Sequence, residues 1–309
     1  MKYKQIWLCA VAVMALVLTA CNPIESNDGS VGSVITASQI KLDVHATTTG
    51  GNQIVMINNT PGVAGMWKTG VGTSTNQTDT VLLPFLGTNT IYFYATCAGG
   101  IVKDSTTITI TTIDHPLAAQ WKYLTGGSSK TWVWATDFPA NWVPSTAAGK
   151  CYGNGAYLAN NGPGWWTCGL SDLQSWGVAN DQMIFDVKGN ANFTLVTGNT
   201  QPTTTPGKGL SAGTYKGTYK FDMSQTLATS SAPSATNSSN WSIGVLTLSG
   251  ATVSLGYQPN VSGYPSIYSY NILYLDDNVM ILACPEPSVT SAWGTSWFWI
   301  FKRQGYTFQ

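Results

Sequence analysis

Lys130-Thr131-Trp132-Val133-Trp134-Ala135 is the stretch that decides the fold class of this chain. Its large rings recur at every second residue, so in extended form both tryptophans face one side. The same pattern returns downstream in Gln182–Val187 (QMIFDV), Asn192–Val196 (NFTLV), Gly217–Phe221 (GTYKF) and Trp241–Leu248 (WSIGVLTL). These runs are short and rich in β-branched and aromatic residues, which suit a pleated, half-buried surface. Tyr270–Leu275 and Val279–Ala283 flank Asp276-Asp277-Asn278, the signature of a hairpin. Trp297–Phe301 (WFWIF) is apolar on both faces and predicts a central core strand. The Ser/Thr/Pro/Ala-rich segments Gln201–Ser211 and Ser224–Asn240 read as surface loops. Residues 117–309 are therefore expected to form a jelly-roll-like or barrel-like β domain, with Trp132, Trp134, Trp297 and Trp299 in its core. Periodicity leaves sandwich and closed barrel both open.

Upstream, residues 36–115 read as a second, smaller all-β unit. Ile40-Leu42-Val44 alternates with polar residues, Ile54–Ile57 is a short apolar run, and Thr90–Thr96 and Thr106–Thr112 are β-branched and aromatic. Short strands at this spacing predict a small sandwich. Asp114-His115-Pro116 marks the boundary, because the residue before proline is driven to an extended conformation. Most of the thirteen tryptophans lie beyond it. Within this unit, Trp67-Lys68-Thr69-Gly70-Val71-Gly72-Thr73-Ser74 resembles the W-D-F-G-D-G-T-S signature of PKD-type immunoglobulin-like domains. Both aspartates of that signature are replaced, by Lys68 and Val71, while the Trp, both Gly and the Thr-Ser turn are kept. The resemblance implies an immunoglobulin-like sandwich acting as a spacer or protein-contact module.

Composition narrows the chemistry. Fourteen basic side chains balance fourteen acidic ones, and charged residues make up only 9% of the chain. No basic stripe exists, so no nucleic-acid partner is expected. A surface of hydroxyls, amides and rings suits neutral, hydroxyl-rich ligands.

Catalytic residue types are scarce. Beyond the N-terminal leader the chain holds two glutamates, Glu25 and Glu286, and two histidines, His45 and His115. A glycosidase needs two carboxylates about 5–9.5 Å apart. Asp276-Asp277 reads as a solvated turn, and Asp172, Asp181 and Asp186 have no evident partner. The histidine count excludes a Ser-His-Asp triad beside the rings and an HExxH zinc site. The expectation is a non-enzyme, with no resident metal or cofactor. Asn154, Asn160, Asn161 and Asp172 are the oxygens from which a structural calcium site could be built.

Binding has better material. The segment 151–168 sets Tyr152, Tyr157, Trp165 and Trp166 on a Gly/Asn-rich loop, with Trp142 upstream and Trp176 downstream. A sugar ring carries an apolar face of C–H groups that packs on an aromatic face, at about 0.5–1.5 kcal/mol per contact. Amides such as Asn154 and Asn161 can bond its hydroxyls. Neighbours in an extended segment point to opposite faces, so Trp165 and Trp166 cannot both face inward. Cys151 and Cys168 flank the loop and form a candidate disulfide, worth about 3 kcal/mol by loop closure.

At the N-terminus, Lys2 and Lys4 precede the apolar run Ile6–Leu18, which ends in Leu18-Thr19-Ala20-Cys21. This is a secretory leader, too short to span a bilayer, which needs roughly 18–20 apolar residues. It resembles the bacterial lipobox, which implies a signal peptide over 1–20, lipidation at Cys21 and a flexible tether over 21–35. Lipobox, tether, PKD-like unit and Trp-rich β domain together resemble the surface glycan-binding lipoproteins of the Bacteroidetes type. These are the SusE/SusF-like partners of SusC/SusD-like transporters in polysaccharide utilisation systems. The resemblance implies non-catalytic capture of a polysaccharide on a lipid-anchored protein of the outer membrane, facing the exterior; Asn22 argues against inner-membrane retention. A structural or adhesive surface lipoprotein and a diverged glycoside hydrolase are the alternatives.

Overall fold

The computed structural model describes residues 35–198, 210–229 and 240–309. The leader, Cys21, all but the last residue of the tether, and most of the two Ser/Thr-rich loops lie outside the described residues.

Residues 36–115 form seven strands: β1 (Leu42–Ala46), β2 (Gln53–Asn58), β3 (Ala64–Thr69), β4 (Gly72–Ser74), β5 (Thr78–Leu82), β6 (Gly87–Cys97) and β7 (Gly100–Ile110). They make two antiparallel sheets, ordered β1-β2-β5 and β4-β3-β6-β7. Alternation sends Ile54 and Met56 of β2, Trp67 of β3, and Ile91, Phe93 and Ala95 of β6 inward, all essentially sealed from water. Trp67 meets Phe93 at 4.6 Å between ring centroids and donates its indole N–H to Asn76 O. The first unit is thus built around the tryptophan of the WKTGVGTS segment.

Its exit is tied down. Asn52 N–H donates to the Asp114 carboxylate at 2.9 Å, while His115 N–H donates to Asn52 Oδ1 at 2.8 Å. The Asn52 amide first, then hydrogen bonds from the Thr48 and His115 side chains, lower the Asp114 pKa to about 2. Phe85 then packs edge-on against Trp121 at 5.6 Å, and Leu86 pairs with Lys188 in a short parallel bridge. The two units therefore meet through packed rings and backbone bonds.

Beyond the boundary come α1 (Ala119–Thr125), β8 (Ser129–Trp134), β9 (Tyr152–Ala156), β10 (Trp166–Cys168), α2 (Leu170–Ser175), β11 (Gln182–Asp186) and β12 (Asn192–Thr197). They are followed by β13 (Gly213–Asp222), β14 (Leu227–Ala228), β15 (Asn240–Ser242), β16 (Gly244–Ser249), β17 (Ser269–Leu275), β18 (Val279–Pro285) and β19 (Thr295–Arg303). Eight of these strands pair antiparallel in the order β8-β11-β12-β13-β16-β17-β18-β19, and β19 returns to β8 through Phe301↔Trp134. The sheet closes into an up-and-down barrel. Each wall strand neighbours the next in the chain, so the jelly-roll alternative, which needs Greek-key crossings, is set aside.

Eight strands enclose a lumen that side chains can fill. Trp132, Met183, Phe185, Phe193, Leu195, Tyr270, Leu282 and Trp299 fill it here. The four tryptophans expected in the core are all buried. Trp297–Phe301 is apolar on both faces for two separate reasons. Trp297, Trp299 and Phe301 line the lumen, while Phe298 lies outside under Trp241 of β15.

Neither helix was legible. Seven and six residues are too few to display a 3.6-residue period. What holds α1 is tertiary: Trp132 Nε1 donates to Leu124 O at 2.9 Å, and Lys130 Nζ donates to Tyr123 O and Asp277 O. That end of the barrel also carries the tight turns 186–192 and 275–279. The connections from β8 to β11, from β16 to β17 and from β18 to β19 leave the wall at the opposite end.

Candidate functional site at the barrel rim

At the rim with the long connections, β8 leaves the wall after Trp134 and β9 takes its place beside β19. The register runs Trp299↔Tyr152, Phe298↔Gly153, Trp297↔Asn154, Ser296↔Gly155. Strand β10 then pairs with β9, setting Trp166 opposite Asn154 and Cys168 opposite Tyr152. Register alone therefore puts Trp166, Asn154 and Trp297 on one face.

The rings form a ladder from solvent into the lumen. Trp166 lies stacked on Trp176, with centroids 6.1 Å apart and planes 21° apart. It meets Trp297 and Tyr152 edge-on at 5.8 and 6.1 Å. Tyr152 in turn stacks on Trp297 and touches Trp299. Trp166 is nonetheless 40% exposed and Trp165 54% exposed. Asn154 fixes both: its carbonyl accepts the N–H of Gly164 and of Trp165, and its Oδ1 accepts the N–H of Trp166 at 3.0 Å.

Other residues expected in the site fall elsewhere. Tyr152 is fully buried among the rings of Trp134, Trp176, Trp297 and Trp299, so it supports the rings and offers no free face. Trp176 is nearly buried beneath Trp166. Tyr157 is half-buried edge-on against Trp241, and Asn161 is half-buried on the connecting loop. Trp142 leaves the cluster: it packs with Phe138, Tyr274 and Phe308, away from Trp166. Chain proximity put it near the loop, but its segment folds along the barrel's outer wall.

The disulfide expectation is corrected as well. Cys151 and Cys168 are free thiols. The register places Tyr152 opposite Cys168, and the neighbouring Cys151 points to the other face. Burial pushes the Cys168 thiol up to about 12 and holds Cys151 protonated too. The oxygens weighed for calcium are engaged separately. Asn160 Oδ1 accepts Ala156 N–H, and Asp172 accepts Gly169 N–H and faces Lys150 at 3.7 Å.

The carboxylates each hold their own loop. Asp276 accepts the N–H groups of Asn278 and Val279 and the hydroxyl of Tyr274, the turn that the sequence predicted. Glu286 accepts from Trp297 Nε1 at 3.1 Å and from Asn260 Nδ2 at 2.6 Å, steadying the rim. Asp181 is buried, accepting from Ser254 Oγ at 2.5 Å and from Gly198 N–H at 2.9 Å. Beside it is a void of about 20 Å³ lined by Val178, Leu195, Thr197, Ser254 and Tyr257, room for a water and not for a sugar.

Burial raises the Asp181 pKa against the pull of its donors. In the unfolded chain the group ionises near 3.8, while in the folded chain it ionises later. The folded state is thus undisturbed below 3.8 and loses stability as pH rises from there through the raised folded pKa. Urea unfolding from pH 3.5 to 7 should show this decline, with a shallower slope in Asp181→Asn. Equal slopes would assign the pH dependence to other groups.

One exposed ring was missed altogether. Trp293, 66% exposed, stands in a loop of small polar residues, SVTSAWGTS, where no run of rings draws attention to it. No known protein family matches the chain, and no curated protein matches it.

Proposed function

We propose that the barrel domain captures a neutral polysaccharide by stacking sugar rings on aromatic side chains at its rim, without turning it over. The observation that carries this reading is the exposure of Trp165 and Trp166 at the start of a short strand, where Asn154 fixes the backbone of both. Large exposed rings held on rigid elements cost little ordering on binding. The rim segments 152–166 and 287–301 contain no charged residue, which suits an uncharged ligand.

In the same reading, Cys21 carries the lipid anchor and the chain is held at the outer membrane, facing outward. The first unit acts as a PKD-type spacer that lifts the barrel from the bilayer. Weak ring contacts then serve by raising glycan concentration beside an uptake complex of the SusC/SusD-like kind.

Affinity electrophoresis of the purified protein in gels containing neutral polysaccharides tests the proposal. Retardation by at least one glycan is expected, and it should be lost in the Trp165→Ala/Trp166→Ala double variant while the unfolding midpoint shifts little. No retardation across a broad panel would move the reading to a structural or adhesive surface protein. Release of reducing sugar would move it to a hydrolase.

A further inference from the structure

Trp293 combines two properties that folding alone does not favour. Its ring is the most exposed of the large apolar side chains on the barrel. Its backbone sits at φ +67°, in the left-handed region, where a bulky side chain is a genuine outlier. Such a conformation costs on its own and persists only where the surroundings impose it. Here they do. Trp293 N–H donates to Tyr157 O at 3.0 Å, and Tyr157 N–H donates to Gly294 O at 2.8 Å. A reciprocal pair of bonds thus pins the loop to the end of β9. Added Cβ density at Gly294 would run into Val289, so the loop behind the ring is packed as well.

The position is informative. Trp165 is bonded to one edge of β9 at Asn154, and Trp293 to the other edge just past its end at Tyr157. Three residues along a strand and two inter-strand spacings across it separate their backbones by roughly 14 Å. That exceeds the width of one sugar ring. No charged side chain stands in 152–166 or 287–301.

We infer that Trp293 is a third stacking residue of the rim, so the site takes several consecutive sugar residues of a neutral glycan chain. The inference rests on the glycan-capture reading above. Trp165 and Trp166 hold one part of the chain, and Trp293 holds a part several residues away. A monosaccharide reaches only one of these contacts.

The test is affinity against chain length. Oligosaccharides of one to eight residues, cut from whichever polysaccharide retards the protein, are titrated by calorimetry into the full protein and into Trp293→Asn. Asparagine tolerates the left-handed conformation, so this variant should fold at least as stably as the parent. In the parent, affinity should climb with length and then level off. In Trp293→Asn, the shortest oligosaccharides should bind as before while the long ones lose about two- to ten-fold, the worth of one aromatic contact. Coincident length curves would remove Trp293 from the site, and a loss equal at every length would overturn its role as a separate, distant contact, even though glycan capture stands. If the parent retains no glycan at all, both readings fall together.

Discussion

Trp299→Ala is expected to destabilise the protein by about 3–5 kcal/mol, the range for truncating a large buried ring. The side chain is fully buried in the lumen, 5.3 Å from the Tyr270 ring and 5.7 Å from that of Tyr152. Its neighbours stand on strands to either side of β19 in a closed barrel, which cannot collapse onto the gap, so most of the cavity cost should persist. Trp299→Phe should lose much less. It keeps a ring in place and removes an indole N–H that has no hydrogen-bond partner among the described residues. Leaving such a donor unsatisfied costs about 1–3 kcal/mol, so its removal offsets part of the lost packing. Urea denaturation of the three proteins checks this. A loss in Trp299→Phe as large as in Trp299→Ala would mean that the indole nitrogen is satisfied in solution.

Gly153→Ala should disable the rim and the fold together. Gly153 has φ +147°, and a Cβ there would run into the carbonyl oxygen of Trp166 on the paired strand. The backbone strain is worth about 1–3 kcal/mol. Overpacking adds about 1–3 kcal/mol more. Because the clash is with β10 itself, the strand carrying Trp166 must move away from β9. Glycan retardation should therefore disappear along with the stability. Gly100→Ala is the control. Its φ is +133°, but nothing lies within 4 Å of the added carbon, and it sits in the β6–β7 turn of the first unit. It should cost stability by strain alone and leave retardation intact. Retardation preserved in Gly153→Ala would place the binding rings elsewhere.

The legibility of the rim was uneven. Alternation, the hairpin signal at Asp276-Asp277-Asn278 and the fully apolar run Trp297–Phe301 together identified the strands of the barrel wall. Alternation also implied that Trp165 and Trp166 cannot both face inward, and both are exposed. Local reasoning failed where contacts are long-range. Tyr152 looked like a surface ring because its neighbours are glycines and asparagines. It is buried because β9 takes over the upper half of β19 and brings Trp297 and Trp299 against it. Trp142 looked like a companion of Trp166, yet it packs on Tyr274 and Phe308, residues more than a hundred positions away. Cys151 and Cys168 looked like a staple. Whether two cysteines can bridge depends on register, and a one-residue offset sends their side chains to opposite faces.

All-β character and the burial of Trp132, Trp134, Trp297 and Trp299 follow from the order of residues, because they depend on a period of two. Closure of the barrel, the ladder from Trp166 to Trp299 and the exposure of Trp293 do not. They depend on which strand pairs with which, and on Phe301 of the last strand meeting Trp134 of the first wall strand. That pairing joins segments separated by most of the domain. Its free energy comes from filling one shared lumen, and no window of neighbouring residues contains it.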